Sequence, residues 1–261
     1  MKVLFIGDVV GKPGRRAIKQ GLPDLINKLK IDFVIANVEN AAGGFGITRT
    51  VGEEILSLGV DVMTSGNHIW DKKDAVTYIV KENRLLRPAN YPADVQGSGS
   101  IVMKASSGES IAVLNLSGRV FMPPLDCPFQ TAQRELLLLK DQADVIIVDF
   151  HAEATSEKCA FGLFLDGEVS AVIGTHTHVQ TADEKILSKG TAYITDIGMT
   201  GPVDSIIGVK KEQIIHKFLT QIPTRFETAK GESSLSCAVI EINSKTGKSS
   251  SIQRLYLTFD S

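Results

Sequence analysis

Thiol pairs, long apolar runs and an excess of either charge are all missing from this 261-residue chain. Its three cysteines, Cys127, Cys159 and Cys237, lie far apart with no C-x-x-C pair. That argues against a disulfide framework or a zinc ribbon and makes a reduced cytoplasm the expected location. No apolar run approaches the ~20 residues that span a bilayer, so no membrane segment is expected. The opening "MKVLFIGDVV" carries Asp8 inside a short apolar run and reads as a strand and loop, not a signal peptide. A formal net charge of −2 gives no general electrostatic reason to bind nucleic acid or an anionic membrane. Any phosphate-bearing ligand must therefore be attracted locally.

Several nucleotide and nucleophile signatures are also lacking. "GDVVGKPG" (7–14) has three residues, not four, between its first glycine and the Gly-Lys pair, and Pro13 follows Lys12. "TGKSS" (246–250) has Ile242 where a phosphate loop needs its first glycine. Both read as turns. No G-x-G-x-x-G opens a helix and no G-x-S-x-G elbow occurs, which argues against a dinucleotide fold and a serine hydrolase. Cys159, eight residues past His151, leaves covalent catalysis as a weak alternative, because a free cysteine is more often a small buried hydrophobe.

What is present is a regular alternation. Strand-like runs occur at 2–7, 32–39, 61–66, 143–150, 169–174 and 191–198. Helical spacing of apolar residues fills "RRAIKQGLPDLINKLK", "RTVGEEILSLG" and "TAQRELLLLKDQ". This order predicts a layered α/β domain with its sheet covered on both faces. Two hairpins, at 98–118 and 234–259, complete one domain over 1–261 with no repeat or linker.

In open α/β sheets ligands bind beyond the carboxyl ends of strands. At those ends stand Asp8, Glu39 with Asn40, Asn67 with His68, His151, and the "GTHTH" that carries His176 and His178. Four of the five histidines lie there; His216, inside "KKEQIIHKFLTQ", does not. Each residue singly has an ordinary reading as a turn, a cap or a core histidine. Side chains at i and i+2 of an extended chain share a face, so His176 and His178 are expected to converge on one site. Carboxylates, amide oxygens and imidazoles without clustered thiolates suit Mn²⁺, Fe²⁺ or Zn²⁺. So many ligand groups exceed what one ion with an open position uses. Two ions roughly 3.5–4 Å apart, with a carboxylate such as Glu39 between them, fit better.

Taken in order, "FIGDVVGKPGR", "ENAAGGFGIT", "GNHIWDKK", "RPANYP", "DFHAEATSEK", "GTHTHVQTAD" and "YITDIGMTGP" resemble the YmdB-type subfamily of the calcineurin-like metallophosphoesterases. The resemblance implies a four-layer α/β/β/α sandwich and a binuclear centre acting as a phosphodiesterase on 2′,3′-cyclic nucleotides. It further implies that Asp8, Glu39, Asn40 and His178 hold one metal, and that Glu39, as the bridge, joins Asn67, His151 and His176 at the other. Iron or manganese is expected first, with zinc next, and the assembly is expected to be a homo-oligomer. Two departures from the wider superfamily stand out: Val10 replaces a metal-binding histidine, and Glu39 replaces a bridging aspartate.

In the expected reaction a hydroxide between the metals attacks phosphorus while His68 protonates the departing ribose oxygen, since imidazole exchanges protons around neutral pH. Arg15, Arg16 or Arg119 could add phosphate contacts. Two other readings remain open: a metal-dependent phosphomonoesterase or nucleotidase, and a regulatory protein that binds a phosphorylated ligand with little turnover.

Overall fold

A computed structural model describes all residues 1–261. Strand β1 (Lys2–Ile6) passes through the two-residue β2 (Asp8–Val9) into helix α1 (Gly11–Leu29). Then follow β3 (Phe33–Asn37), α2 (Arg49–Ser57), β4 (Val62–Thr64) and the short α3 (Lys73–Tyr78). A hairpin of β5 (Ser100–Lys104) and β6 (Ser110–Ser117) precedes α4 (Pro128–Leu139), β7 (Val145–His151), α5 (Thr155–Phe164) and β8 (Ala171–Thr175). The last part holds β9 (Lys185–Ile186), β10 (Ala192–Ile194), β11 (Met199–Pro202), α6 (Lys211–Thr220) and the hairpin β12 (Ser233–Ile242) and β13 (Ser249–Phe259).

The fold is mixed α/β with two mixed sheets. One runs β2-β11-β12-β1-β3-β4, with β13 also on β12; the other runs β5-β6-β7-β8-β10-β9. Strands β1, β3 and β4 are parallel, as are β6, β7, β8 and β10. Their carboxyl ends therefore stand together at one edge of the molecule.

Strand parity sorts the core. In β1, Leu4 and Ile6 face α1 residues Ile18 and Leu22, while Val3 and Phe5 join Val113 of β6, Ile147 of β7 and Ile173 of β8 in a core fed by both sheets. A third core packs Leu114, Val148 and Phe150 against Leu136 of α4 and Phe161 of α5. Each such side chain buried contributes roughly 1.5–3 kcal/mol.

The hairpins at 98–118 and 234–259 form as the sequence predicts, as β5/β6 and β12/β13. The turn predicted over 7–14 is corrected: α1 already begins at Gly11. Pro13 sits in its first turn, where a missing N–H costs no helical bond. No helix is long and apolar enough to cross a membrane.

Candidate metal centre

Five strand ends supply the polar side chains. Asp8 opens β2, directly beyond β1; β3 ends at Asn37, just ahead of Glu39 and Asn40. Asn67 and His68 follow β4, His151 is the last residue of β7, and His176 follows β8. Parallel register sets His151 beside Thr175 and Asp8 beside Met199.

Two groups of ligand-type atoms result: Glu39, His151 and His176 in one, Asp8, Glu39 and His178 in the other. Within each group the atoms lie within 4.8 Å of one another, and Glu39 belongs to both. In the first, His151 Nε2 is 3.1 Å from Glu39 Oε2, 3.0 Å from His176 Nδ1 and 3.1 Å from Asn67 Oδ1. In the second, His178 Nε2 is 3.8 Å from Asp8 Oδ1. The Asn40 amide donates to Glu39 Oε1 at 3.0 Å and lies 3.3 Å from His178 Nε2. Rotating that amide by half a turn would offer its oxygen in the same place.

His176 and His178 do converge on one site, in groups that share Glu39, but strand parity is not the reason. Strand β8 ends at Thr175, and the two histidines have φ of 97° and 68°. Left-handed backbone costs a non-glycine residue about 1–3 kcal/mol. It turns the two rings into different groups, with Thr177 between them.

Each imidazole is oriented from behind, a hydrogen bond on one ring nitrogen leaving the other free for the site. His151 Nδ1 is 2.9 Å from Thr175 Oγ1, whose hydroxyl donates to Asp149 Oδ1 at 2.7 Å. Asp149 also accepts from the Asn37 amide at 3.0 Å and from the Thr64 hydroxyl. His176 Nε2 faces Glu153 Oε2 at 3.1 Å, and His178 Nδ1 donates to the Ile207 carbonyl at 2.9 Å. His68 Nδ1 is 2.8 Å from Asp71 Oδ2, and its ring meets Phe45 edge-on with centroids 5.3 Å apart. These supporting residues, Asp71, Glu153 and Asp149 above all, carry no recognisable spacing, and the sequence reading misses them. Only their proximity in the chain to His68 and His151 could have flagged them.

Burial and crowding set the electrostatics. Burial raises the Asp8 carboxyl to about 7 against the lowering pull of His178 and His151. Burial would also raise Glu39, but the charge and hydrogen bond of His151, with His68 and His176, bring it down to about 2. Burial pulls His151 down, yet Glu39, then Asp8 and Asp149, lift it to about 9. His176 is pushed down to about 3 by burial and then by the charge of His151, which keeps it neutral and available as a ligand.

The residues fit a divalent metal. Asp8 Oδ1 is buried with no hydrogen-bond partner, a costly state that a cation would relieve. The donor set of carboxylate, imidazole and amide suits hard-to-borderline ions. Gly66 lacks a Cβ where one would overlap both His151 and Glu39, so the backbone itself closes around these donors.

The groups open into a cavity of about 330 Å³, lined by Glu39, His68 and His178 together with the apolar Phe45, Ile207, Ile214 and Phe226. The three arginines considered as phosphate contacts do not line it. Arg15 is engaged by Glu54 and the Ala41 carbonyl, and Arg16 by the Gly231 carbonyl and Ser233. Arg119 lies where its backbone N–H binds Glu157.

Comparison with known proteins agrees along the whole chain. The family model described as YmdB-like protein matches residues 4–255. The 2′,3′-cyclic-nucleotide 2′-phosphodiesterase of Bacillus subtilis (strain 168) is 50% identical over 260 residues, covering 100% of this chain and 98% of its own. The crystal structure of a hypothetical protein from Thermus thermophilus superposes with a TM-score of 0.93 at 42% identity, covering 99% of each chain. That of a novel phosphatase from Mycoplasma pneumoniae gives 0.93 at 37% identity, covering 100% of this chain and 94% of its own.

Proposed function

Because this chain belongs to the YmdB-like protein family, we propose that it is a phosphodiesterase that hydrolyses 2′,3′-cyclic nucleotides at a binuclear metal centre. The observation that carries this reading is Glu39, the one carboxylate common to both groups of ligand-type atoms. Asp8, Glu39, Asn40 and His178 would hold one ion, and Glu39, Asn67, His151 and His176 the other. When bound, such ions neutralise phosphoryl oxygens and make water acidic enough to serve as a nucleophile near neutral pH.

The remaining chemistry belongs to the chain. His68 is the general acid: Asp71 holds its Nδ1 and leaves Nε2 to hand a proton to the departing ribose oxygen. Phe45 meets that ring edge-on and lines the cavity with it, which holds the imidazole in place.

The other expectations enter as parts of the same reading. Iron or manganese are the metals proposed first and zinc next, since the donors suit all three. One domain over 1–261 in a four-layer α/β/β/α sandwich is supported by the three cores, the middle one fed by both sheets and the outer two by helices. A homo-oligomer in the cytoplasm is part of the proposal, the location supported by three unpaired cysteines.

A phosphomonoesterase is the second reading, favoured by the Mycoplasma pneumoniae relative, which is described as a phosphatase. One preparation, purified without chelator, decides between them: elemental analysis of bound metal, with 2′,3′-cyclic nucleotides and nucleoside monophosphates assayed side by side. Diester turnover with about two metals per chain is expected. Turnover of monoesters alone, or full activity without metal, overturns the reading.

A further inference from the structure

Lysine is almost never fully buried unless paired, yet Lys158 of α5 is only 1% exposed. Its ammonium donates to Asp196 Oδ2 at 2.6 Å and to the Thr175 carbonyl at 2.7 Å. Asp196, also fully buried, uses the same Oδ2 to accept from the backbone N–H of Thr177 at 3.0 Å and from its hydroxyl at 2.7 Å. Its Oδ1 accepts from the Gly198 N–H at 2.8 Å. Neither residue reaches the cavity. Both come from stretches, "TSEK" and "YITDIG", that the expected chemistry left without a role.

What the pair grips is the segment Thr175–His178. Thr175 is held by its carbonyl and Thr177 by both of its donors, so the residues immediately before and after His176 are fixed. His178 is then tied to the same framework, because its carbonyl accepts from Met199, next to Gly198. The two left-handed histidines are thus flanked by grips of one buried anion and its cation at Thr175 and Thr177, and by the Met199 backbone at the His178 carbonyl. Without those bonds nothing in the local sequence favours φ of 97° and 68° at two non-glycine residues. The Gly198 end of the network continues to Asp8, whose N–H binds the Gly198 carbonyl at 3.1 Å, and Asp8 Oδ2 in turn accepts from His176 N–H at 3.2 Å.

We propose that Lys158 and Asp196 are positioning residues of the metal centre, a buried pair that clamps Thr175–His178 so that His176 and His178 serve different ions. This rests on reading the two histidines as metal ligands. An ion pair suits the task better than an apolar plug because a carboxylate accepts several donors at once, and the flanking cation balances its charge in the interior.

The test is a calorimetric Mn²⁺ titration of the full chain after chelator stripping, with circular dichroism to confirm the fold. The double variant Lys158→Met with Asp196→Asn leaves no unpaired charge behind. It is expected to bind Mn²⁺ roughly tenfold or more weakly, the range seen when groups behind metal ligands are removed. Thr177→Val, in a half-exposed loop, removes one of the grips without touching the core and is expected to weaken binding in the same direction, by less than the double variant does. A role confined to stability would lower the melting temperature and leave the Mn²⁺ affinity of folded protein unchanged. Wild-type affinity in either folded variant overturns the clamp while the metal reading stands. A wild-type chain that binds no Mn²⁺ overturns that reading and the clamp with it.

Discussion

His68 is anchored through one nitrogen only, and that asymmetry makes it the most informative single residue. Asp71 takes Nδ1, Phe45 packs the ring, and Nε2 is left to the cavity. His68→Ala should lower turnover by roughly 10²–10⁴-fold while metal content stays near normal. Wild-type turnover in that variant would remove His68 from the mechanism. Asp8 and His151 yield a second expectation, for the metal-free protein. Asp8, raised to about 7 by burial, is an acid whose protonated form the fold prefers, so its contribution to stability is lost as pH climbs from the ordinary carboxylate range through about 7. His151, raised to about 9, stabilises fully below its unfolded value and loses that contribution as pH rises through about 9. Asp8 loses its contribution between about pH 4 and 7 and His151 between about 6.5 and 9, so stability falls from about pH 6.5 to 9, on His151 alone beyond about 7. The melting temperature of the stripped protein should fall across that window, and the gap to the metal-loaded protein should widen. A stripped protein that gains stability over the same range would contradict these assignments.

Helices and strands are readable wherever one periodicity runs long enough. Ile18, Leu22 and Leu25 in α1 repeat at helical spacing and are all buried against the first sheet. Leu22→Ala should therefore destabilise by about 2–5 kcal/mol, seen as a lower denaturation midpoint with little change in the slope. Strands β1, β3, β7, β8 and β10 fall on the predicted apolar runs. Short α5 is not readable: its buried face includes Glu157 and Lys158, so it shows no clean apolar stripe. The site divides the same way. Asp8, Glu39, Asn67 and His151 stand out because strand ends bring them to one edge. His176 and His178 stand out too, but the shape of the loop that carries them does not, because its turn to positive φ depends on Asp196, eighteen residues beyond His178 in the chain and adjacent only in space.

The centre also joins the two sheets: Asp8, Glu39 and Asn67 come from one, His151, His176 and His178 from the other. Metal removal should therefore loosen the contact between sheets as well as stop the reaction. Binding at a concentration about 100 times Kd stabilises by about 2.7 kcal/mol. At about 2–4 °C per kcal/mol for a chain of this size, chelation should lower the melting temperature by roughly 5–10 °C. No shift on chelation, in a protein shown to contain metal beforehand, would mean that the ions do not brace the sheets.

The place of β12 bears on how such a chain is made. It lies directly beside β1, with Lys2 opposite Glu241 and Ile6 opposite Cys237, and the amino terminus donates to the Ile242 carbonyl. Strand β1 thus leaves a ribosome long before β12 and waits on the order of tens of seconds for it at about 5–20 residues per second. During that interval β1 has only β3 beside it. Its other edge, the backbone groups of Lys2–Ile6 that later pair with β12, stays open to any passing strand. Nascent chains halted before Ser233 would be the ones that chaperones must hold.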